Sequence, residues 1–198
     1  IIAAAKTFNA AAVRQALAAG ITNIGENYLQ EGAAKIAALG DTPAVWHFIG
    51  HIQRNKAREV ARLFDWLHTV DKLSLAQRLS TAREGMPPLN ILLQINIDDD
   101  AAKSGAPPAA AITLAQEVAA LPNLRLRGLM AMPRERTTDK GAPFRALASL
   151  QAEVAAVGGL RLDALSMGMS GDFAEAIAAG ATHIRLGTAI FGARPKKA

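Results

Sequence analysis

The sequence predicts a single-domain α/β protein, a closed (β/α)8 TIM barrel. Three observations predict it. Short apolar runs alternate with longer amphipathic runs eight times along the chain. The short runs are apolar at nearly every position, the pattern of parallel strands buried on both faces. Polar residues and glycines collect where those runs end. Alternating strand–helix units imply parallel pairing with right-handed crossovers, and eight units close a barrel rather than an open sheet. A doubly wound sheet is disfavoured because no Gly-x-Gly-x-x-Gly follows the first strand.

Each element follows in order. Residues 1–5 form the first strand, which ends at Lys6. Asn9 caps a helix to Ala19, and Gly20 stops it. Residues 22–25 are the second strand, and 27–39 a helix stopped by Gly40. Residues 45–50, VWHFIG, are the third strand, followed by a helix over 53–63. Residues 66–70 are the fourth strand, and Asp71 caps a helix to Arg83. The fifth strand, 89–97, is the most hydrophobic. Pro107 or Pro108 opens a helix to Leu121. The sixth strand covers 124–130, with a helix over 140–157. The seventh covers 160–166, with a short helix over 171–179 stopped by Gly180. The eighth covers 182–186, and 188–191 begin a last helical turn. There is no linker or low-complexity segment, so 1–198 reads as one domain.

Composition narrows the function. The 198 residues are 51% hydrophobic and 20% charged, an ordinary globular balance. There is no cysteine, which excludes disulfides and thiolate metal sites and fits a cytoplasmic location. No apolar run approaches the roughly 20 residues that span a membrane. The net charge of +5 is spread along the chain except for the tail Arg194, Lys196 and Lys197, and aromatics are only 5%. That distribution argues against nucleic-acid binding. The sequence begins on an apolar strand without Met or a basic leader, so it reads as lacking upstream residues rather than as carrying a signal peptide.

In this fold the chemistry sits at the C-terminal ends of the strands. The residues there are Lys6, Asn27, Gly50 and His51, Asn96, Met130, Ser166 to Ser170, and Arg185 to Thr188. Lys6 follows five apolar residues. An amine in low dielectric loses its proton more readily and becomes a nucleophile, the requirement for a Schiff base with an aldehyde. A lysine snorkelling to solvent gives the same local pattern. What separates the two is an anion site. SMGMSGD (166–172) and RLGTAIFG (185–192) are rich in small residues and hydroxyls, which let backbone N–H groups approach a phosphate. The loops after strands 7 and 8 are the usual phosphate site of the barrel. Each loop alone also reads as an ordinary turn with an N-cap; together, beside a strand-end lysine, they point to a phosphorylated aldehyde. His47 and His51 flank one strand without a third ligand, and His68 and His183 stand isolated, so all four read as structural or loop histidines rather than metal ligands. Asp98 to Asp100 read as a solvated loop. No nucleophile elbow is present.

These stretches resemble the YggS / proline-synthase co-transcribed family of pyridoxal phosphate-binding proteins. The resemblance rests on AAAKT (3–7), GENYLQE (25–31), WHFIGHIQRNK (46–56), QINIDDDAAKSG (94–105), RGLMAM (127–132), SMGMSGDFAEAI (166–177) and RLGTAIFGAR (185–194), which span nearly the whole chain in order. It implies a fold-type III barrel, like the N-terminal barrel domain of alanine racemase, with pyridoxal 5′-phosphate as cofactor. Lys6 then corresponds to the Schiff-base lysine. Ser166, Gly187 and Thr188 would bind the phosphate, with Ser170 and the Met167–Met169 backbone nearby. Arg185 would face the pyridine nitrogen, and Asn27 and His51 would line the cofactor face. The chain departs from the family in having Ala5 where Ser is usual, and in lacking the helix that precedes the first strand.

The resemblance implies a monomeric carrier in pyridoxal phosphate homeostasis, without substantial turnover, whose partners are the cofactor and the pyridoxal phosphate-dependent apo-enzymes that receive it. The alternative is a low-activity amino-acid racemase using the same lysine. A racemase needs an acid/base group on each face of the substrate α-carbon. Here Lys6 serves one face and no second domain supplies the other. A third reading, a regulatory module for another protein, has no supporting patch in the sequence.

Overall fold

The structure, a computed structural model, describes residues 1–134 and 138–193; the tail cations Arg194, Lys196 and Lys197 lie outside the described residues. Eight strands are present: β1 (Ile2–Ala4), β2 (Asn23–Glu26), β3 (Val45–Phe48), β4 (Trp66–Val70), β5 (Leu89–Gln94), β6 (Leu124–Met130), β7 (Ala164–Ser166) and β8 (Arg185–Leu186). All pair in parallel in the order β7-β6-β5-β4-β3-β2-β1-β8. A parallel bridge between Ser166 and His183 joins the two ends of that order, which closes the barrel.

The helices lie between successive strands: α1 (Ala10–Ala18), α2 (Leu29–Leu39), α3 (Ala57–Leu63), α4 (Leu73–Ala82), α5 (Ala111–Ala119), α6 (Ala142–Gly158), α7 (Phe173–Ala178) and α8 (Thr188–Phe191). The Asn9 side chain caps α1 by accepting from Ala12 N at 3.0 Å, as its sequence position predicts. Asp71 does not cap α4. That helix begins at Leu73 with Lys72 at the cap and no side-chain bond there, so this expectation is corrected. The helices expected at residue 53 and at Pro107 or Pro108 open as 3₁₀ turns over Arg54–Lys56 and Pro108–Ala110. β7 and β8 are shorter than the apolar runs that contain them. The Thr182 hydroxyl bonds Leu165 N at 2.7 Å, so a side chain takes a place that a ladder bond would otherwise fill.

Side chains alternate across each strand, and this splits the core in two. Ile91 and Leu93 join the large apolar cluster between sheet and helices, whereas Leu92 packs with Met130, Ala164 and Trp66 inside the barrel. The interior also holds a polar cluster. His47, His68, Ser166 and Arg185 are all buried there. Among the described residues, no helix is long and apolar enough to cross a membrane.

Candidate functional site

The same alternation places Lys6. Ile2, Ala4 and Lys6 share one face of β1 and its continuation, and Ala4 and Lys6 both line a cavity at the C-terminal end of the barrel. The backbone on either side of Lys6 is clamped. Ala5 N donates to Gly25 O (2.8 Å), and Ala5 O accepts from the buried Lys35 Nζ (2.7 Å). Thr7 turns at φ 70, in the left-handed region, and its N–H donates to Glu31 Oε2 (2.9 Å). Phe8 then stacks on Phe191 of α8 with ring centroids 4.8 Å apart. Lys35 also pairs with Glu26 at 2.7 Å, and Glu26 Oε2 is buried with no partner. Burial pushes the Glu26 carboxyl up to about 7, against the pull of Lys35. The sequence reading missed Glu26, Glu31 and Lys35. The four-residue spacing of Glu31 and Lys35 on a predicted helix was the available signal.

The cavity measures about 280 Å³. Its polar wall is Lys6 after β1, Asn27 after β2, Ser170 and Gly171 after β7, and Arg185, Gly187 and Thr188 on and after β8; Ile49, Met132 and Met169 add apolar surface. Thr188 Oγ1 lies 3.4 Å from Ser170 Oγ, so the loops after β7 and β8 meet. Asn27 is brought in by a close approach that requires glycine: a Cβ on Gly50 would stand 2.0 Å from Asn27 O. Of the residues singled out in the sequence, Lys6, Asn27, Ser170, Arg185, Gly187 and Thr188 therefore share one wall. Three of the residues expected at the cofactor do not join it. His51 is exposed and lies off the cavity, and Ser166 and Met167 are fully buried. Ser166 is the last residue of β7 and its side chain points into the barrel. The chain reaches the cavity only from Met169 onward.

Arg185 dominates the electrostatics. Its side chain is buried; Nη1 donates to Ser166 Oγ (2.7 Å) and Nη2 to Ala131 O (3.0 Å). Among the described residues it has no carboxylate at ion-pair distance, and burial pushes its pKa down to about 10. Asp172 offsets that cost only from a distance, and a buried cation without a close counter-charge is costly, so this wall of the cavity suits an acceptor or an anion. A larger and more open groove, about 890 Å³, lies along α3 and α4 and is lined by Arg54, Arg58, Arg62 and Arg78. No lysine lines it among the described residues, so the smaller cavity, which has Lys6, is the candidate site. The groove does show that charges spread along the sequence gather in space.

The sequence matches the family described as alanine racemase, N-terminal domain, over residues 3–195. It is 54% identical over 195 residues to the pyridoxal phosphate homeostasis protein of Pseudomonas aeruginosa, covering 98% of this chain and 84% of that one. The chain belongs to the pyridoxal phosphate homeostasis protein family. The Escherichia coli K12 family member is 48% identical over 199 residues, covering 98% of this chain and 85% of its own. Two solved structures of PipY from Synechococcus elongatus PCC7942 superpose closely. The one without PLP has a TM-score of 0.91 at 41% identity, covering 96% of this chain and 91% of that chain. The one with PLP bound has a TM-score of 0.90 at 38% identity, covering 97% and 92%. Alanine racemase of Clostridium difficile 630, at 11% identity and TM-score 0.81, shares the fold; the match covers 99% of this chain and 55% of the racemase.

Two expectations about this family member need correction. His68 and His183 are not isolated. Both pack with His47 inside the barrel, with centroids 5.2 Å (His47–His68), 6.1 Å (His47–His183) and 6.0 Å (His68–His183) apart. Among the described residues, no group of three His, Cys, Asp or Glu is placed to hold a metal. The Asp98–Asp100 loop is not simply solvated, because Asp100 pairs with Arg134 at 2.7 Å and Asp98 lies 3.9 Å from Lys103 Nζ.

Proposed function

We propose that this chain binds pyridoxal 5′-phosphate as a Schiff base on Lys6 and carries the cofactor without substantial turnover of its own, as one cofactor-binding unit. The observation that carries this reading is convergence. One cavity holds a strand-end amine, paired hydroxyls with glycines, and a buried arginine with no carboxylate at ion-pair distance among the described residues. That set matches three of the polar parts of the cofactor. Lys6 takes the aldehyde carbon. Ser170 and Thr188, with backbone at Gly171 and Gly187, suit the phosphate. Arg185 suits the pyridine nitrogen. The relatives named for pyridoxal phosphate homeostasis and the PLP-bound form of PipY support the same ligand.

The bound cofactor would supply an electron sink for carbanion chemistry, and the protein sets how good a sink it is. A guanidinium keeps its own protons and repels another at the ring nitrogen, so Arg185 weakens that sink. The cavity also has a one-sided supply of proton-transfer groups. Among the described residues Lys6 is the amine that lines it, and the single tyrosine, Tyr28, is 55% exposed and off the cavity wall. These features favour holding and release, with pyridoxal phosphate-dependent apo-enzymes as recipients, over racemisation.

Reduction with borohydride after loading, followed by peptide mass spectrometry, tests the assignment. The label belongs on Lys6; label on Lys56 or Lys103 and none on Lys6 would overturn it. Exchange of the α-proton of L-alanine in deuterated water separates carrier from racemase. Exchange many-fold faster than with free cofactor, and lost in Lys6→Ala, favours the enzyme.

A further inference from the structure

Beneath the cavity floor a chain of five side chains crosses the barrel interior. Arg185 Nη1 meets Ser166 Oγ at 2.7 Å, and Ser166 Oγ meets His68 Nδ1 at 2.9 Å. His68 Nε2 meets His47 Nδ1 at 3.0 Å, and His47 Nε2 meets Asn23 Oδ1 at 2.9 Å. Ser166, His68 and His47 are fully buried. The carrier reading uses none of these residues except Arg185.

We propose that Ser166, His68 and His47 are positioning residues, which hold the Arg185 guanidinium at the cavity wall through a hydrogen-bonded chain that runs in one direction only. The proposal rests on the reading that Arg185 faces a bound ligand. The direction follows from donor counting. A guanidinium has only donors, so Ser166 Oγ accepts from it. The Ser166 hydroxyl then has its own hydrogen to place, and His68 Nδ1 is the acceptor in reach. That puts the His68 proton on Nε2, aimed at His47 Nδ1, and in turn puts the His47 proton on Nε2, aimed at the carbonyl oxygen of Asn23. Every group is satisfied once.

The other arrangements fail. With a proton on His68 Nδ1, Ser166 would receive two donors and its own hydrogen would have no acceptor, a cost of about 1–3 kcal/mol for a buried group. A doubly protonated His68 would add a second cation one hydroxyl away from Arg185. Burial works against that charge at both rings. It holds His47 at about 3 and His68 well below the usual imidazole value, with Arg185 and His183 adding repulsion at His68. A chain whose first donor is a guanidinium cannot hand a proton to the cavity. The histidines therefore orient Arg185 and do not act as acids or bases.

Multiple-bond ¹H–¹⁵N NMR of the unliganded full chain tests the direction without any substitution. Between about pH 6 and pH 8, where a free imidazole titrates, both rings are expected neutral with the proton on Nε2. A proton on His68 Nδ1, or an imidazolium, overturns the proposal. Ligand titration tests the positioning. In His68→Asn the side-chain oxygen can stand in for Nδ1 as the acceptor for Ser166, whereas His68→Leu offers no acceptor. Pyridoxal phosphate affinity should fall at least about tenfold in His68→Leu, the scale of one bond to a charged group, with a shift of the bound ligand's absorbance band, and stay within about threefold in His68→Asn. Equal loss in both variants, or loss in neither, overturns it. If the unsubstituted chain gives no reducible adduct on Lys6, the carrier reading fails while the tautomers stay as assigned, so the two failures are told apart.

Discussion

A methyl group added at two glycines should separate binding from stability. Gly187 lies on the cavity wall at φ −108, outside the left-handed region that favours glycine. A Cβ there would meet only Ala4, its O at 3.5 Å and its Cβ at 3.9 Å, which are ordinary contacts. The fold should therefore have room for the methyl group of Gly187→Ala. On the proposed placement of the phosphate the cavity should not accept it, because the methyl would stand where backbone approaches the anion. Losing one such charge-assisted bond costs about 1.5–3 kcal/mol, roughly 10- to 150-fold in affinity. Gly168 is the opposite case. It sits at φ +89, and a Cβ there would lie 2.5 Å from Ala176 Cβ. Gly168→Ala combines left-handed strain of about 1–3 kcal/mol with overpacking of similar size. Melting temperature and cofactor titration read the two effects. Gly187→Ala should melt like the parent, within about 4 °C, and bind poorly; Gly168→Ala should melt clearly lower. Parental affinity in a well-folded Gly187→Ala would refute the placement of the phosphate.

Lys6→Ala should abolish the imine absorbance band while the melting temperature stays near that of the parent, since the side chain lines a cavity. Ser170→Ala and Thr188→Ala should each weaken cofactor binding by about 1–3 kcal/mol in titrations; no change in either would place the anion elsewhere. Lys35→Met should destabilise the fold by about 3–5 kcal/mol above neutral pH, because Glu26 is left buried and alone. Without the pull of Lys35 the Glu26 carboxyl rises beyond its parental value of about 7, so the loss should already shrink as pH falls toward neutral, and Lys35→Met with Glu26→Gln should recover most of it in urea unfolding. Acid should unfold the protein through the buried histidines. Their folded pKa values lie below the unfolded 6.5, so the stability they contribute is complete above pH 6.5 and is lost toward about pH 3 for His47, about 1.4 kcal/mol per pH unit per ring. Glu26 acts with the opposite sign: its folded pKa is raised, so its contribution is present below pH 4.5 and lost as pH rises through about 7. The net acid loss should therefore steepen below about pH 4.5, and urea midpoints in His47→Gln should show a shallower fall.

By itself the sequence determined the barrel and most of one wall of its cavity. Strand and helix periodicity is local, so eight apolar runs with amphipathic partners were legible without any contact being known, and the β4 and β6 bounds, Trp66–Val70 and Leu124–Met130, came out as observed. Because the fold puts strand ends at one face, Lys6, Asn27, Ser170, Arg185, Gly187 and Thr188 could be grouped from position alone. Tertiary structure decided what depended on side-chain direction and on distant partners. Ser166 and Ser170 stand four residues apart in one polar stretch, yet β7 ends at Ser166, so one turns into the barrel and the other reaches the cavity. His47 and His68 are 21 residues apart and Ser166 lies 98 beyond His68. Only closure of the sheet makes them neighbours, and only the burial that follows fixes where their protons sit. The Lys35–Glu26 pair behind Lys6 is of the same kind: each residue is unremarkable in the chain, and becomes decisive once α2 packs on β2 and excludes water from both charges.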